Sequence, residues 1–396
     1  MPVSSELGPR SGRSAALDGL RGYAAAVVVF YHTILGPSPE LARQVVERGV
    51  EDQRTLERVL LKVALTLFDG EWAVAVFFVI SGIVLFRALA GMHRGSGSRA
   101  MAETGWRFLL RRFLRIWPVM AVCLVVHTVC YQFLDPVWPG LAATYSWPAL
   151  LENLTLLRSP INGATWSLGV ELAGAPLLVA AFFGVRRFGR AALIPPFLYV
   201  TLAFFAPKLL ASSQGLIAGI PTLLIGVLLE CGGLDWAARL RAWRWAPVAG
   251  AGLVLLDFLF VRAASYKVHA LLLFIGVALF VGWVSRLQRG RVFDFLHAPL
   301  SQYLGRISFS LYLWNVPVFM ILLLLCDQQK LRAYPFVSGL ATGCAAILLT
   351  IPIADLSERW LERPCVRLGR ALTNAGSKPR VMPGAAAPGR LGSAPR

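Results

Sequence analysis

Long apolar stretches separated by short polar segments dominate the hydrophobic pattern of this chain. A helix that crosses the roughly 30 Å hydrocarbon core of a bilayer needs about 20 mostly apolar residues. Ten stretches are candidates for such helices: 17–35, 72–90, 116–134, 167–185, 191–206, 215–230, 246–261, 268–285, 307–326 and 335–356. The fifth to the seventh of them are short. The pattern predicts an all-α fold, a polytopic membrane helix bundle with about ten transmembrane helices.

The segments that flank these stretches divide the chain into three regions. Residues 1–16 are polar and lead directly into a predicted span, so we expect no cleavable signal peptide. Residues 17–366 form the predicted transmembrane domain. Residues 367–396 are rich in Pro, Gly, Ala and Ser, a composition typical of a disordered tail.

Composition and charge support a membrane protein and indicate its orientation. Hydrophobic residues make up 57% of the chain and charged residues only 15%, against about 25% charged in soluble domains. Of the 39 Lys and Arg, 28 fall in the segments that share a side with the N-terminus and 11 in the others. The positive-inside rule therefore places both termini in the cytoplasm. The net charge of +18 belongs to that face, and no nucleic-acid partner is expected.

The first predicted span carries three ionisable residues, which are costly inside a membrane and usually functional. At about 100° per residue, Asp18, Arg21 and His32 share one helix face, with His32 about 16 Å further along the axis than Arg21. Two interpretations stay open from periodicity alone. In the first, this helix face lines a cavity. In the second, Asp18 and Arg21 form an ion pair at the helix end, and His32 donates a hydrogen bond to a neighbouring carbonyl.

Six short motifs follow one another along the chain. They are LDGLRGYAAAVVVFYH in the first span, FFVISG (77–82), RRFLRIWP (111–118), TWSLGVE (165–171), SFSLYLWN (308–315) and SERWLERP (357–364). The chain thereby resembles the acyltransferase 3 family of integral membrane acyltransferases, in which an Arg or Lys followed after ten residues by His marks the first helix. Arg21 and His32 have this spacing, and the resemblance covers residues 17 to about 366.

The resemblance implies transfer of an acyl group, commonly acetyl, from coenzyme A to a hydroxyl of a carbohydrate or glycolipid acceptor. Acyl-CoA is then a donor substrate, with no permanently bound cofactor. A neutral imidazole is suited to remove a hydroxyl proton, so His32 is the candidate general base. We place Glu171, Arg21 and Asp18 with it in the catalytic set. Glu171 is expected to orient His32, and Arg21 to stabilise the thioester oxygen or to steer a CoA phosphate.

Further residues are assigned to binding. Arg112 and Arg115 lie three residues apart on one helix face, with Arg111 one turn from Arg115, and guanidinium groups match phosphate geometry. We expect the three to bind CoA, against the alternative of plain orientation charge and lipid head-group contact. Five more residues are expected to position the substrate: Asn315, Tyr312, Ser308, Trp166 and Ser167.

Two positions depart from the family pattern, in which the motif at 308–315 usually ends in His and span two carries a polar residue at position 75. This chain has Asn315 and Ala75 there, and an amide does not titrate near neutral pH. We interpret Ser81 and Gly82 as close helix packing and His127 as a satisfied structural His. No residues have metal-ligand spacing.

Two other functions stay open. A transporter or flippase could use the intramembrane charged residues, including Asp257, and the departures at 75 and 315 would fit a silent scaffold. Membrane lipids are expected partners, and the oligomeric state is open. The excess of Arg over Lys is typical of a GC-rich genome and favours a bacterial inner membrane.

Overall fold

The computed structural model describes residues 14–93, 95, 97–206, 214–231, 243, 245–261, 265–286, 293–326 and 328–374. All regular structure in these ranges is helical, which confirms the all-α prediction. The α-helices are α1 (Ala15–Leu35), α2 (Pro39–Val46), α3 (Leu56–Leu67), α4 (Gly70–Met92), α5 (Ser98–Leu134), α6 (Leu141–Thr144), α7 (Trp147–Leu154), α8 (Trp166–Phe188), α9 (Ile194–Phe205), α10 (Gln214–Cys231), α11 (Ala246–Leu256), α12 (Tyr266–Val284), α13 (Pro299–Leu325), α14 (Gln328–Ala333), α15 (Pro335–Ser357) and α16 (Arg363–Asn374).

Within the described ranges, six helical segments are long and apolar enough to cross a membrane, so the chain is an integral membrane protein. They are Leu56–Met92, Ser98–Leu134, Gly163–Phe188, Lys267–Val284, Pro299–Leu325 and Pro335–Asn374. Three shorter apolar helices correspond to the fifth to seventh predicted spans. Helix α1 is not among the six, because its three ionisable residues lower its mean hydropathy. The total of about ten spans and the side of the termini stay predictions.

Several predicted boundaries are wrong because helices continue beyond their apolar parts. Helix α5 begins at Ser98, well before the predicted start at 116, since the Arg-rich segment ahead of the span is also helical. Helix α13 begins at Pro299 rather than at 307, with a proline in the first turn, where its missing N–H is not needed. Residues 367–374, assigned to the disordered tail, form most of α16. Residues 1–13 and 375–396 lie outside the described residues.

Helix α1 packs directly on α13 and α15 through glycines. A Cβ at Gly22 would meet the backbone of Gly305, and a Cβ at Gly305 would meet the carbonyl oxygen of Asp18. On α15, Gly339 lies against Ile34 of α1 in the same way. Missing side chains let helix backbones approach closely and gain van der Waals contact, which drives association inside a membrane. Helix α1 is therefore fixed along its length between two neighbours.

A second close crossing joins α4 to α10. A Cβ at Gly82 would meet the backbone carbonyl of Leu223, and a Cβ at Gly226 would meet that of Val79. The interpretation of Gly82 as a packing residue is thus confirmed. At its N-terminal end, α4 is capped by Asp69, whose carboxylate accepts a hydrogen bond from the Trp72 N–H at 2.8 Å. The cap satisfies an otherwise unpaired backbone donor.

The α1–α13 crossing predicts a steric effect of a single methyl group. Gly305→Ala would force a methyl group against backbone, so we expect it to lower the free energy of unfolding by about 1–3 kcal/mol. Gly252→Ala on α11 is the matched control, because a Cβ there meets no described residue within 4 Å. The measurement is the midpoint of thermal unfolding in detergent. Equal midpoints for the two variants would contradict the close approach of α1 and α13.

Candidate active site

A cavity lies where α1, α4, α5, α8 and α13 meet. Its walls combine charged and aromatic side chains. The lining residues are Arg21, Val74, Phe77, Phe78, Arg112, Arg115, Ile116, Ser167, Leu168, Glu171, Phe309 and Tyr312. Six of them were assigned to the site from sequence, and we call this space the arginine cavity.

Glu171 of α8 is held by two partners from two other helices. Its Oε2 accepts a hydrogen bond from Nη2 of Arg112 at 2.5 Å, and its Oε1 accepts one from Oγ of Ser81 at 2.6 Å. The Arg112 side chain is 8% exposed and that of Glu171 15%. A nearly buried ion pair needs such additional hydrogen bonds to offset the loss of hydration. Ser81, Arg112 and Glu171 thus join α4, α5 and α8 at one point.

The other two arginines of the cavity are less fully neutralised. Nη2 of Arg115 lies 3.4 Å from Oε1 of Glu362, which is a long contact. Arg21 has no ion pair to any residue in the described part of the chain, and its buried Nε has no hydrogen-bond partner there. The lining holds three guanidinium groups and one carboxylate, and the Glu362 carboxylate lies beside Arg115, so the guanidinium group of Arg21 is the one without an ion pair among the described residues. Such a space favours an anion with several acceptor oxygens.

His32 is paired with Asn315 rather than with Glu171. Its Nδ1 lies 2.8 Å from Oδ1 of Asn315 on α13. The expected role of Glu171 in orienting His32 is therefore wrong, because the Glu171 carboxylate is engaged by Arg112 and Ser81. Glu171 lies instead with Arg21, Arg112 and Arg115 in the arginine cavity, which His32 does not line.

One turn of α13 connects the arginine cavity with His32. Tyr312 lines the cavity and lies three residues, about 4.5 Å of helix rise, before Asn315. Its hydroxyl bonds Oγ of Ser167 at 2.8 Å and the carbonyl of Ala164 at 3.0 Å. Tyr312 and Ser167 are thus mutually fixed at the cavity wall, which ties α13 to the beginning of α8.

Arg111 lies elsewhere, contrary to its assignment to CoA binding. Its Nε donates to Oγ1 of Thr373 at 2.6 Å and its Nη2 to Oδ1 of Asn374 at 2.8 Å. Arg111 is adjacent to Arg112 in sequence, so its side chain leaves the helix about 100° away. Its hydrogen bonds hold the last turn of α16 against α5, and its side chain does not line the cavity.

Five other assigned residues also lie outside the cavity lining: His32 and Asn315, described above, and Ser308, Trp166 and Asp18. The Ser308 hydroxyl is buried and donates to the carbonyl of Gly305 in its own helix at 2.9 Å. Trp166 begins α8 and packs edge-on against Phe78 at 5.8 Å. Asp18 lies in the first turn of α1, where its carboxylate faces the positive end of the helix dipole.

Sequence analysis missed two participants. Ser81 was interpreted as packing, although it lies in the FFVISG motif and its hydroxyl faces Glu171. Glu362 was not singled out, although it lies in the SERWLERP motif and faces Arg115. It belongs to a π-helical turn, Glu358–Glu362, whose wider winding changes the face on which later residues lie. A fixed 3.6-residue period therefore could not have located it.

Two histidines lie outside the site, and His127 differs from its expected role. His127 is buried against the rings of Tyr131 and Tyr145, and neither ring nitrogen has a hydrogen-bond partner among the described residues, so it is not satisfied as predicted. His269 lies in α12, with Nδ1 2.6 Å from Asp257 and Nε2 3.2 Å from Glu71. The carboxylates lie at opposite ring nitrogens, an arrangement that ties helices together and does not form a common metal site.

The Arg112–Glu171 ion pair leads to a stability prediction. Glu171→Ala leaves the buried Arg112 guanidinium without its counter-charge, so we expect unfolding free energy to fall by about 3–5 kcal/mol. The control is Glu47→Ala, since Glu47 pairs with Arg43 on an exposed surface, where such pairs contribute about 0–1 kcal/mol. Thermal unfolding in detergent measures both. Similar losses in the two variants would show that Arg112 does not depend on Glu171.

Comparison with known proteins gives one match, to a family model. No curated protein and no solved structure matches the chain at a significant level. The family model described as an acyltransferase domain, that of the acyltransferase 3 family, matches residues 14–358. This range contains α1 to α15 and every residue that lines the arginine cavity. The chain therefore belongs to the acyltransferase 3 family of membrane acyltransferases.

Proposed function

We propose that this membrane acyltransferase moves an acyl group, with acetyl as the first candidate, from acyl-CoA to a hydroxyl of a carbohydrate or glycolipid. The observation that carries the proposal is the convergence of three arginines on one cavity, in which Arg21 has no ion pair among the described residues. An arginine inside a membrane bundle is costly, at about 2.5–3.5 kcal/mol on insertion scales, and usually marks a substrate path. A donor that carries several phosphates would supply the missing negative charge.

The donor is proposed to lie along α1. Arg21 and His32 are about 16 Å apart on one face of this helix. The phosphates of CoA and its thioester are separated by the extended pantetheine arm, so phosphates beside Arg21 and Arg115 would leave the thioester nearer to His32. We therefore assign Arg21 to phosphate binding rather than to the thioester oxygen. Arg112, neutralised by Glu171, shapes the wall between the two ends.

The proposed reaction is a single displacement at the thioester carbonyl. The acceptor oxygen forms a bond to the carbonyl carbon while His32 takes the hydroxyl proton. The carbon–sulfur bond then breaks, and the CoA thiolate leaves with its electron pair and takes the proton from the His32 imidazolium. The products are an ester and free CoA, and the histidine returns to its neutral state.

The membrane location and orientation belong to the proposal as well. Arg21, Arg112 and Arg115 precede the most apolar parts of α1 and α5, on the side that the positive-inside rule assigns to the cytoplasm. Acyl-CoA would enter from that side of a bacterial inner membrane. His32, nearer the opposite end of α1, would then meet an acceptor that enters from within the bilayer or from the far side.

His32 is the first residue to test. We expect His32→Ala to lower kcat/KM about 10²–10⁴-fold, the usual contribution of a general base. The assay supplies labelled acetyl-CoA to purified protein in vesicles that contain lipid-linked saccharides, and it follows both labelled ester and free CoA thiol. His93→Ala is the control, since His93 bonds Thr104 outside the cavity, and it should retain full transfer.

Two outcomes would overturn parts of the proposal. Equal transfer by wild type and His32→Ala would remove His32 from the mechanism. Movement of a labelled glycolipid across the vesicle membrane without acyl-CoA, together with no ester formation, would replace the acyltransferase by a transporter.

Substitution of Arg21 distinguishes two roles for its guanidinium group: phosphate binding and stabilisation of the thioester oxygen. We expect Arg21→Gln to raise KM for acetyl-CoA about tenfold or more, since a charge-assisted hydrogen bond contributes roughly 1.5–3 kcal/mol, with a smaller change in kcat. Arg111→Gln is the matched control, because Arg111 bonds α16 and does not line the cavity. A fall in kcat with unchanged KM in Arg21→Gln would place Arg21 at the thioester instead.

A further inference from the structure

The side-chain amide of Asn315 is fixed in one orientation by its own helix. Its Nδ2 donates to the carbonyl oxygens of Tyr312 at 2.5 Å and Leu311 at 3.3 Å. A carbonyl oxygen can only accept, so the NH₂ group must face these carbonyls and Oδ1 must point away from them. The backbone of α13 thereby decides the amide orientation, which electron density at ordinary resolution leaves undetermined.

The fixed amide determines which nitrogen of His32 carries hydrogen. Oδ1 of Asn315 lies 2.8 Å from Nδ1 of His32 and has no hydrogen to donate. The hydrogen in this contact therefore belongs to Nδ1. A neutral imidazole carries one N–H, so the lone pair is on Nε2.

Burial decides what Asn315 can and cannot reach. The Asn315 side chain is 0% exposed, so its assignment to substrate positioning is not supported by its location. His32 is partly exposed, and its ring is stacked on Phe319 with centroids 6.2 Å apart. Nδ1 is the only ring atom of His32 that is hydrogen-bonded within the described residues. Nε2 is thus the nitrogen left open to a substrate.

The turn that carries Asn315 is itself anchored. The Tyr312 hydroxyl bonds Ser167 and the carbonyl of Ala164 on the α8 side. Gly305, two turns earlier on α13, contacts the α1 backbone. The amide therefore meets His32 from a helix that is held against α1 at Gly305 and against the α8 side at Tyr312.

We propose that Asn315 is a positioning residue that holds His32 in the Nδ1–H tautomer, so that Nε2 is the atom that accepts the hydroxyl proton. The inference rests on the proposed function for the chemistry, although the tautomer is a property of the resting protein. It explains how an amide, which does not transfer protons, can serve where the family usually has a histidine.

The kinetic test uses two substitutions at this position. Asn315→Leu removes the oxygen that accepts the hydrogen bond from His32. We expect kcat to fall about 10–100-fold, which is part of the 10²–10⁴-fold contribution of a general base. KM for acetyl-CoA should stay within about twofold of the wild-type value. Asn315→Asp keeps an acceptor oxygen and adds a negative charge, which stabilises the imidazolium. The acidic limb of its kcat–pH profile should therefore move to higher pH by about one unit or more.

Asn162 provides the matched control. It is also a fully buried asparagine bonded to α13, through Nδ2 to the carbonyl of Leu313 at 3.0 Å, but it has no histidine partner. Asn162→Leu should reduce the yield of folded protein, and the folded fraction should keep the wild-type kcat–pH profile. The same change of profile in Asn162→Leu as in the Asn315 variants would show a general structural effect and overturn the assignment.

A second measurement tests the tautomer without acyl transfer. Protein labelled with ¹⁵N-histidine is compared with the His32→Gln variant by solid-state NMR in lipid, so that the difference gives the His32 ring signals. We expect a protonated Nδ1 and an unprotonated Nε2 in wild type, and a mixed or reversed pattern in Asn315→Leu. An unprotonated Nδ1 in wild type would refute the inference while leaving the acyltransferase activity intact. Absence of acyl transfer with a protonated Nδ1 would refute the proposed function alone.

Discussion

The backbone contact between α1 and α13 is the constraint on which the site depends. Gly22 and Gly305 remove the side chains that would otherwise separate the two helices. At one end of this crossing Arg21 faces the cavity wall that Tyr312 helps to form, and at the other His32 reaches Asn315. Because packing rather than hydrophobicity drives helix association in lipid, small residues at this crossing decide whether the two functional ends are aligned.

The second feature of the site is the buried charge of its arginines and of Glu171. Glu171 is fully engaged by Arg112 and Ser81, so it neutralises one guanidinium group and leaves the others. Among the described residues, the buried Nε of Arg21 has no hydrogen-bond partner. A protein tolerates such an arrangement when a substrate supplies the counter-charge at the moment of binding. The same ion pair joins three helices, so the site and the bundle are stabilised by the same contact.

The departure at position 315 fits this picture. An amide cannot exchange protons near neutral pH, yet it can accept from one nitrogen of an imidazole and be held rigidly by backbone carbonyls. Its own helix supplies these carbonyls. An asparagine thus orients a histidine without changing the net charge of a buried region, where a second titrating group would be costly.

By itself, the sequence determined the class of the protein, its family and half of the residues that line the cavity. Apolar stretches of spanning length and charged residues at helical spacing are local properties, so Arg21, Arg112, Arg115 and Glu171 could be placed on the correct helices. Which side chains meet depends on the rotation and crossing of helices distant in sequence. For that reason the structure alone paired Glu171 with Arg112 and Ser81, and His32 with Asn315.

The other differences between the predicted and the observed structure have two causes: a helix that continues beyond its predicted end, and a π-helical turn. The hydrogen bonds from Arg111 to α16 depend on residues 367–374 being helical, although residues 367–396 taken together have the composition of a tail. The π-helical turn that brings Glu362 to Arg115 interrupts the period on which prediction rests. A sequence pattern specifies the face on which a residue lies while the helix is regular. The partner across the interface is decided only by tertiary packing, because that packing sets the close approach and relative rotation of the helices.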